Sequence, residues 1–173
     1  RTPTGRVVGG FNEVTKVNAA ESRVEGVEAQ VSWRALPTVL LLAEGAWLDG
    51  EADAFPTGSQ QPVREPLDVL TPTTWRLGAR WTPTSPRLQL EAIVEHADRQ
   101  DELSTRDQLD TQRIPPGGTP GWTVLHLRSE WRATDRATLS LAVENLTDVD
   151  YRIHGSGVNE PGRNVVASLA VSL

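Results

Sequence analysis

Apolar residues recur at every second position of this chain, segment after segment, and that period constrains the fold more than any other feature. From Val165 to Leu173 the odd positions are Val165, Ala167, Leu169, Val171 and Leu173, while Ser168 and Ser172 share the other parity with Val166 and Ala170. Successive side chains point to opposite faces of a strand, so such a segment has one apolar face and one small or polar face. The same alternation sets Leu139, Leu141 and Val143 against Ser140, Ala142 and Glu144, and Leu125, Leu127 and Trp131 against His126, Arg128, Glu130 and Arg132. It also sets Trp75, Leu77, Ala79 and Trp81 against Arg76, Gly78 and Arg80, and Leu88, Leu90, Ala92 and Val94 against Arg87, Gln89, Glu91 and Glu95. Val27, Ala29, Val31 and Trp33 stand in the same relation to Glu28, Gln30, Ser32 and Arg34. No segment carries a helical stripe.

The breaks between these runs alternate in length. Short ones lie at Leu36 to Thr38, Thr82 to Pro86 and Thr134 to Arg136, with Pro, Asp, Thr or Ser suited to tight turns. Long ones lie at Asp49 to Pro66, Arg99 to Pro120 and Arg152 to Pro161. About eight strands are predicted, near 6–18, 22–35, 39–49, 67–82, 87–99, 121–133, 138–151 and 163–173. Strands of this length, joined by short turns at one end and long loops at the other, describe an all-β, antiparallel transmembrane β-barrel segment. It is an up-and-down meander with short periplasmic turns and long extracellular loops. A soluble sandwich shares the alternation, and a self-contained eight-stranded outer-membrane barrel with a structural role is the alternative within the membrane class. That closure requires the first strand, around Val7 to Val17, to pair with the last, and Gly9, Gly10 and Asn12 interrupt it.

Composition narrows the classes. The longest apolar run, Val39 to Ala43, is far below the roughly 18 residues of a spanning helix. A mean hydropathy of -0.37 does not imply a soluble protein, because barrel strands are apolar on one face only. The absence of Cys removes disulfides, thiolate metal sites and thiol nucleophiles. A net charge of -6 argues against nucleic acid as a partner, since binding phosphates needs clustered Lys and Arg. A single Lys, Lys16, and the absence of Met suit a piece of a longer chain.

Register can be set on paper. A turn centred between Thr84 and Ser85 places Trp81 opposite Leu88, Leu77 opposite Ala92 and Trp75 opposite Val94, with Arg80 and Arg76 diagonal to Glu91 and Glu95. Trp33, Trp81 and Trp131 then sit at strand ends beside short turns, and Trp47 and Trp122 beside long loops, with Trp75 nearer a strand centre. Indole prefers a boundary where one edge is wet, so the first five read as a membrane-interface girdle.

The segment ENLTDVDYRIHGSGVNEPGRNVVASLAVSL, Glu144 to Leu173, resembles the closing hairpin of TonB-dependent outer-membrane receptors. Asn145, Leu146, Thr147, Asp148 and Tyr151 fit that family's N-L-[FLT]-D-x-x-Y motif. His154 to Asn164 fit its H-G-S-G-x-N-E-P-G-R-N loop, with Val158 at the free position. ESRVEGVEAQVSW, Glu21 to Trp33, is similar to the family's A-R-x-x-G-V-E strand, with Ser22 in place of Ala. RIPPGGTPGWTVLHLR, Arg113 to Arg128, is similar to its late extracellular loop and the strand after it. Leu173 stands where family chains commonly end in Phe or Trp.

The resemblance implies residues 1–173 as the C-terminal portion of a receptor barrel of about 22 strands, with the plug domain and N-terminal strands lying outside the chain. It implies the bacterial outer membrane as location and active import of a nutrient, such as a siderophore–metal chelate or cobalamin-like ligand. The partners implied are outer-membrane lipid, the barrel assembly machinery, the TonB complex through the plug, and a small-molecule or metal-chelate ligand. No cofactor is implied, and metal would arrive inside the ligand.

His154, Asn159, Glu160 and Arg163 are the candidate ligand-contacting residues, combining an imidazole, an anion and a cation in one loop. The same residues suit a self-packed loop in which Gly155, Gly157 and Gly162 permit positive φ. Asp49, Glu51 and Asp53 alternate as calcium ligands do but lack the EF-hand's central Gly and closing Glu, so a solvated loop is the better reading. For catalysis, His96, His126 and His154 fall on separate elements, and no G-x-S-x-G, HExxH, Walker or Rossmann motif occurs. Glu91 and Glu95 share a strand face about 13 Å apart, too far for a glycosidase pair. An enzyme is not expected.

Overall fold

The computed structural model describes residues 2–15, 21–55, 61–83 and 87–172. The strands are β1 (Thr2–Val8), β2 (Phe11–Thr15), β3 (Ser22–Leu36), β4 (Val39–Ala54), β5 (Val63–Pro66), β6 (Thr74–Trp81), β7 (Leu88–Ala97), β8 (Trp122–Arg132), β9 (Ala137–Glu144) and β10 (Asn164–Val171). One short helix, α1 (Thr105–Leu109), lies between β7 and β8. An eight-stranded antiparallel sheet runs β10-β9-β8-β7-β6-β4-β3, with β5 pairing β4 off this path.

Eight strands is the expected number, but the membership differs. The stretch expected as one strand over 6–18 is instead a hairpin, β1 against β2, separate from the main sheet. Gly9 and Gly10 take φ of 59° and 85°, the two positive values that a two-residue hairpin turn needs and that a side chain resists. The remainder of that stretch, residues 16–18, lies outside the described residues. In compensation, β4 runs past its expected end and folds back on β5, so part of the first long break is itself a hairpin. Strand β6 begins at Thr74 rather than near 67, because Val69 leaves the extended region with φ 55°. Strand β9 stops at Glu144 because Asn145 turns at φ 47°. Among the described residues β1 pairs β2 alone and β10 pairs β9 alone, so the closure needed by an eight-stranded barrel is not formed.

The β6–β7 register also differs: Trp81 pairs Leu90, Leu77 pairs Val94 and Trp75 pairs His96. The slip is two residues, and an even slip leaves every side chain on its expected face. Arg80 and Arg76 now stand directly opposite Glu91 and Glu95, with contacts of 2.8 and 3.2 Å. The expected turn centre, between Thr84 and Ser85, lies outside the described residues.

Across the sheet one parity joins into a single apolar face. Trp33 pairs Leu41, Leu41 pairs Ala79, Ala79 pairs Ala92, Ala92 pairs Leu127, Leu127 pairs Val143 and Val143 pairs Val165. This face is open: Val27 is 64% and Leu169 66% exposed. The other face carries rows such as Gln30, Glu44, Arg76 and Glu95. The buried core lies at one end of the sheet, where the long connections meet, and contains Leu70, Ile93, Ala97, Ile114 and Val124.

Candidate functional site

The long connections form a cap over the sheet end opposite the short turns. The 99–120 connection is pinched where Gln100 and Thr119 exchange backbone hydrogen bonds of 3.0 and 2.9 Å. Gly118, at φ +97°, permits this approach, since an added Cβ would run into the Gln100 carbonyl. Inside the loop the Ser104 hydroxyl accepts from Asp107 N (3.0 Å), capping α1. The Asp107 carboxylate, 2% exposed, accepts from Val69 N at 3.2 and 3.1 Å. That bond holds a β-branched residue at positive φ, where it is strained unless its surroundings fix it. Gln100 Nε2 donates to Leu70 O (2.8 Å), and Thr105 donates from N and Oγ1 to Glu65 (2.9 and 2.6 Å), so the connections on either side of β6 and β7 lock together.

The 145–163 connection completes the cap. Asn145, 2% exposed, donates through Nδ2 to Val149 O (2.8 Å) and Pro161 O (3.2 Å) and accepts from Val149 N (2.9 Å). Of the four ligand-contact candidates, Arg163 donates from its backbone N to Asp148 (2.7 Å) and from Nε to Leu146 O (2.8 Å). Asn159 bridges Asp150 (2.7 Å) and Arg152 (2.9 Å). His154 Nδ1 meets Thr119 Oγ1 at 2.9 Å, while its Nε2 is buried without a partner. Burial holds this imidazole below its ordinary pKa, and Asp107 pulls the other way. Glu160 N donates to Tyr151 O (2.8 Å). Three of the four side chains are therefore engaged inside the cap, as a self-packed loop requires.

Below the cap, the polar face of the sheet opens into a cleft of about 660 Å³ lined by Glu28, Gln30, Glu44, Arg76, Glu95, Trp122 and Ile153, among others. Gln30 Nε2 donates to Glu44 (2.9 Å), and Arg76 lies between Glu44 (3.9 Å) and Glu95 (3.2 Å). His126 packs at the edge of this row, with Nδ1 accepting from Asn145 N (3.3 Å) and Nε2 3.9 Å from Glu95. Trp122 lies on Tyr151 with ring centroids 4.5 Å apart. Burial and the nearby Glu160, Glu95 and Glu144 raise the Tyr151 pKa.

The tryptophans divide by face. Trp33, Trp81 and Trp131 lie on the apolar face near the short turns, and Trp47 lies on it near the cap. Trp122 differs from expectation: it shares parity with Val124 and His126 and lines the cleft. Trp75 takes its place near the cap on the apolar face, stacked on His96 at 4.9 Å, because β6 begins later than expected. Among the described residues no group of three His, Asp or Glu is arranged to hold a metal ion. The cap's polar core was missed from sequence, although Ser104 with Asp107 three residues on is a helix-start signal.

An antiparallel meander with one continuous open apolar face, a polar opposite face and a capped end is a segment of a transmembrane β-barrel. The family model described as TonB dependent receptor-like, beta-barrel matches residues 1–146, and the chain belongs to this family of bacterial outer-membrane proteins. Three solved structures share the fold. The copper transporter OprC is 20% identical with a TM-score of 0.67, over 88% of this chain and 24% of that one. The ferric-catecholate import receptor Fiu from E. coli K12, in its closed form, is 18% identical with a TM-score of 0.63, over 87% and 21%. The siderophore receptor PiuA from Acinetobacter baumannii is 15% identical with a TM-score of 0.59, over 87% and 22%. The chain thus spans about a quarter of the length of these receptors. Comparison with curated proteins gives no match.

Proposed function

We propose that this chain is the C-terminal part of the barrel of an import receptor that takes up a scarce nutrient, a siderophore–metal chelate or cobalamin-like compound, with energy relayed by TonB. The polar face is then the lumen wall, the cap belongs to the extracellular mouth, and a plug and further strands complete the receptor. The observation that carries this reading is the pairing of a lipid-ready outer face with a polar cleft directly beneath the cap on the inner face. Structures of similar fold named for copper, siderophore and ferric-catecholate transport support the import class. Lipid is the partner of the apolar face, the barrel assembly machinery that of β10, and the TonB complex acts through the plug. No chemical step is assigned to the chain.

Trp33, Trp81 and Trp131 form the periplasmic side of the aromatic girdle and Trp47 belongs to its outer side, where Trp75 joins it. In the loop, His154, Asn159 and Arg163 shape the mouth by fixing the cap, and Glu160 is the candidate among the four for contact with an entering ligand. The test is uptake by cells carrying or lacking the full-length receptor, each with and without TonB, supplied with a panel of radiolabelled ferric chelates and cobalamin. Uptake of one panel member that requires both proteins is expected. Uptake of the whole panel indifferent to either protein contradicts the proposal.

A further inference from the structure

We infer that the cavity between the 99–120 and 145–163 connections is a subsite for an uncharged sugar ring carried by the imported compound. This rests on the import-receptor reading and adds to it the chemistry of one part of what enters.

The cavity holds about 320 Å³, within the roughly 300–1,000 Å³ of small-molecule sites. Its lining divides into two kinds of surface. Trp122 and Tyr151, with ring centroids 4.5 Å apart, supply an aromatic wall, and Pro115 and Pro120 add to its apolar area. A proline ring has no rotamers to freeze, and the Gln100–Thr119 bridge already fixes the turn that carries both, so this part is set before a ligand arrives. The polar part is Asp150, Arg152 and Asn159. Asn159 stands between the other two, donating from Nδ2 to Asp150 (2.7 Å) and accepting from Arg152 Nε (2.9 Å). The carboxylate and the guanidinium are thereby linked through an amide rather than paired with each other. Among the described residues, the two terminal nitrogens of Arg152, the second oxygen of Asp150 and the Tyr151 hydroxyl have no hydrogen-bond partner.

Three consequences converge on a sugar. One carboxylate against one guanidinium leaves the lining neutral, so a charged group of either sign gains attraction from one and repulsion from the other. A hydroxyl both donates and accepts, so two neighbouring hydroxyls can accept from Arg152 and donate to Asp150 at once. The C–H face of a saturated ring meanwhile buries apolar surface on the indole and phenol. A wholly apolar ring would cover the same wall but strip water from Arg152 and Asp150 without replacing it. Trp122 also lines the cleft beneath, so the cavity adjoins the lumen wall.

The experiment uses the purified full-length receptor and the methyl glycosides of glucose, galactose and mannose, each beside its uronate. Binding is read by saturation-transfer NMR titration, with heat-modifiable gel mobility confirming a folded barrel for each variant. At least one neutral glycoside is expected to bind, and its uronate about tenfold more weakly. Trp122→Leu and Arg152→Gln are each expected to weaken the glycoside about fivefold or more. Asp150→Asn keeps the bond to Asn159 but leaves Arg152 unopposed, so the uronate should gain on the neutral sugar and the preference should narrow or invert. That change of ratio is one that a loosened loop alone would not produce, and it keeps the test decisive if Trp122→Leu does not fold. Binding of none of the three glycosides, a uronate that binds as tightly as its neutral partner, or an Asp150→Asn variant with an unaltered ratio overturns the subsite. TonB-dependent uptake, measured in parallel on the same receptor, separates the two readings. If uptake requires TonB and the glycoside results fail, only the sugar subsite falls; if uptake ignores TonB, the receptor reading falls whatever the glycosides do.

Discussion

Leu77 and Leu127, in the middle of the sheet's apolar face, are 50% and 39% exposed, whereas Ile114 and Val124, under the cap, are each 1% exposed. Both regions are built on the same strands, yet they bury apolar surface against different solvents. The belt has no protein core of its own: a strand with one apolar face must cover it with something, and in an outer-membrane barrel that cover is lipid. The cap, standing in water, follows the rules of a soluble domain. It gathers Leu70, Ile93, Ala97, Ile114 and Val124 and pairs most of its buried polar groups, Gln100 with Leu70, Asp107 with Val69, Asn145 with Val149 and Pro161, leaving His154 Nε2 without a partner. Solvent therefore decides which half of the sequence reads as inside.

The largest test of this contrast is a charge placed on either face of one strand. Leu169→Arg or Leu141→Arg is expected to cost about 2–4 kcal/mol in a folding titration into lipid, and Ser168→Arg or Ser140→Arg much less. Equal penalties would erase the distinction between faces. In the cap, Gly118→Ala drives a Cβ into the Gln100 carbonyl at a positive φ. It should cost the cap about 1–3 kcal/mol. Hydrogen exchange at the Gln100 and Thr119 amides would rise while exchange in β9 and β10 stays unchanged. Asn145→Ala removes the side-chain bonds to Val149 and Pro161 and is expected to loosen the 145–163 connection by a comparable amount, about 1–3 kcal/mol; limited proteolysis would read it.

A smaller effect follows from pH. His154 has a depressed pKa in the folded cap, so above the ordinary histidine value of about 6.5 it is neutral both folded and unfolded. As the pH falls through that value the opened loop takes the proton first, and cap stability declines until the folded site is protonated too. Faster exchange of the Thr119 amide at pH 5.5 than at pH 7.5, after correction for the intrinsic rate, is expected, and His154→Gln should abolish the difference. Smallest of all is the Arg23–Glu25 pair, whose side chains are 70% and 55% exposed. Arg23→Ala should leave the midpoint of the same titration unchanged.

The belt was legible in the sequence because a strand's period of two is local and survives errors of register: β6 and β7 slip by two residues relative to expectation, yet Leu77, Ala79 and Trp81 keep their face. The cap was far less legible. Its contacts join residues as distant as Val69 and Asp107, or Thr119 and His154, and nothing in a local window announces such pairs. Positive φ at Val69, a residue type that ordinarily avoids it, hid the true start of β6 and so made Trp75 read as nearer a strand centre than it is, whereas Trp122 was assigned by its place at a strand end although its parity is that of His126. Gly9 and Gly10 did signal an interruption, but that they turn the chain back on itself rather than bend a single strand depends on pairing, which alternation alone does not choose.

This chain holds no cysteine, so cysteines introduced into its last strand compete with none of its own. Single cysteines at residues 165 to 171, spin-labelled in the receptor reconstituted in bilayers, report collision with oxygen, which favours lipid, or with a water-soluble nickel chelate. Oxygen collisions peaking at 165, 167, 169 and 171, with nickel collisions at 166, 168 and 170, are the predicted result. A profile without that alternation, or nickel access peaking at the odd positions, would contradict the claim that lipid covers this face.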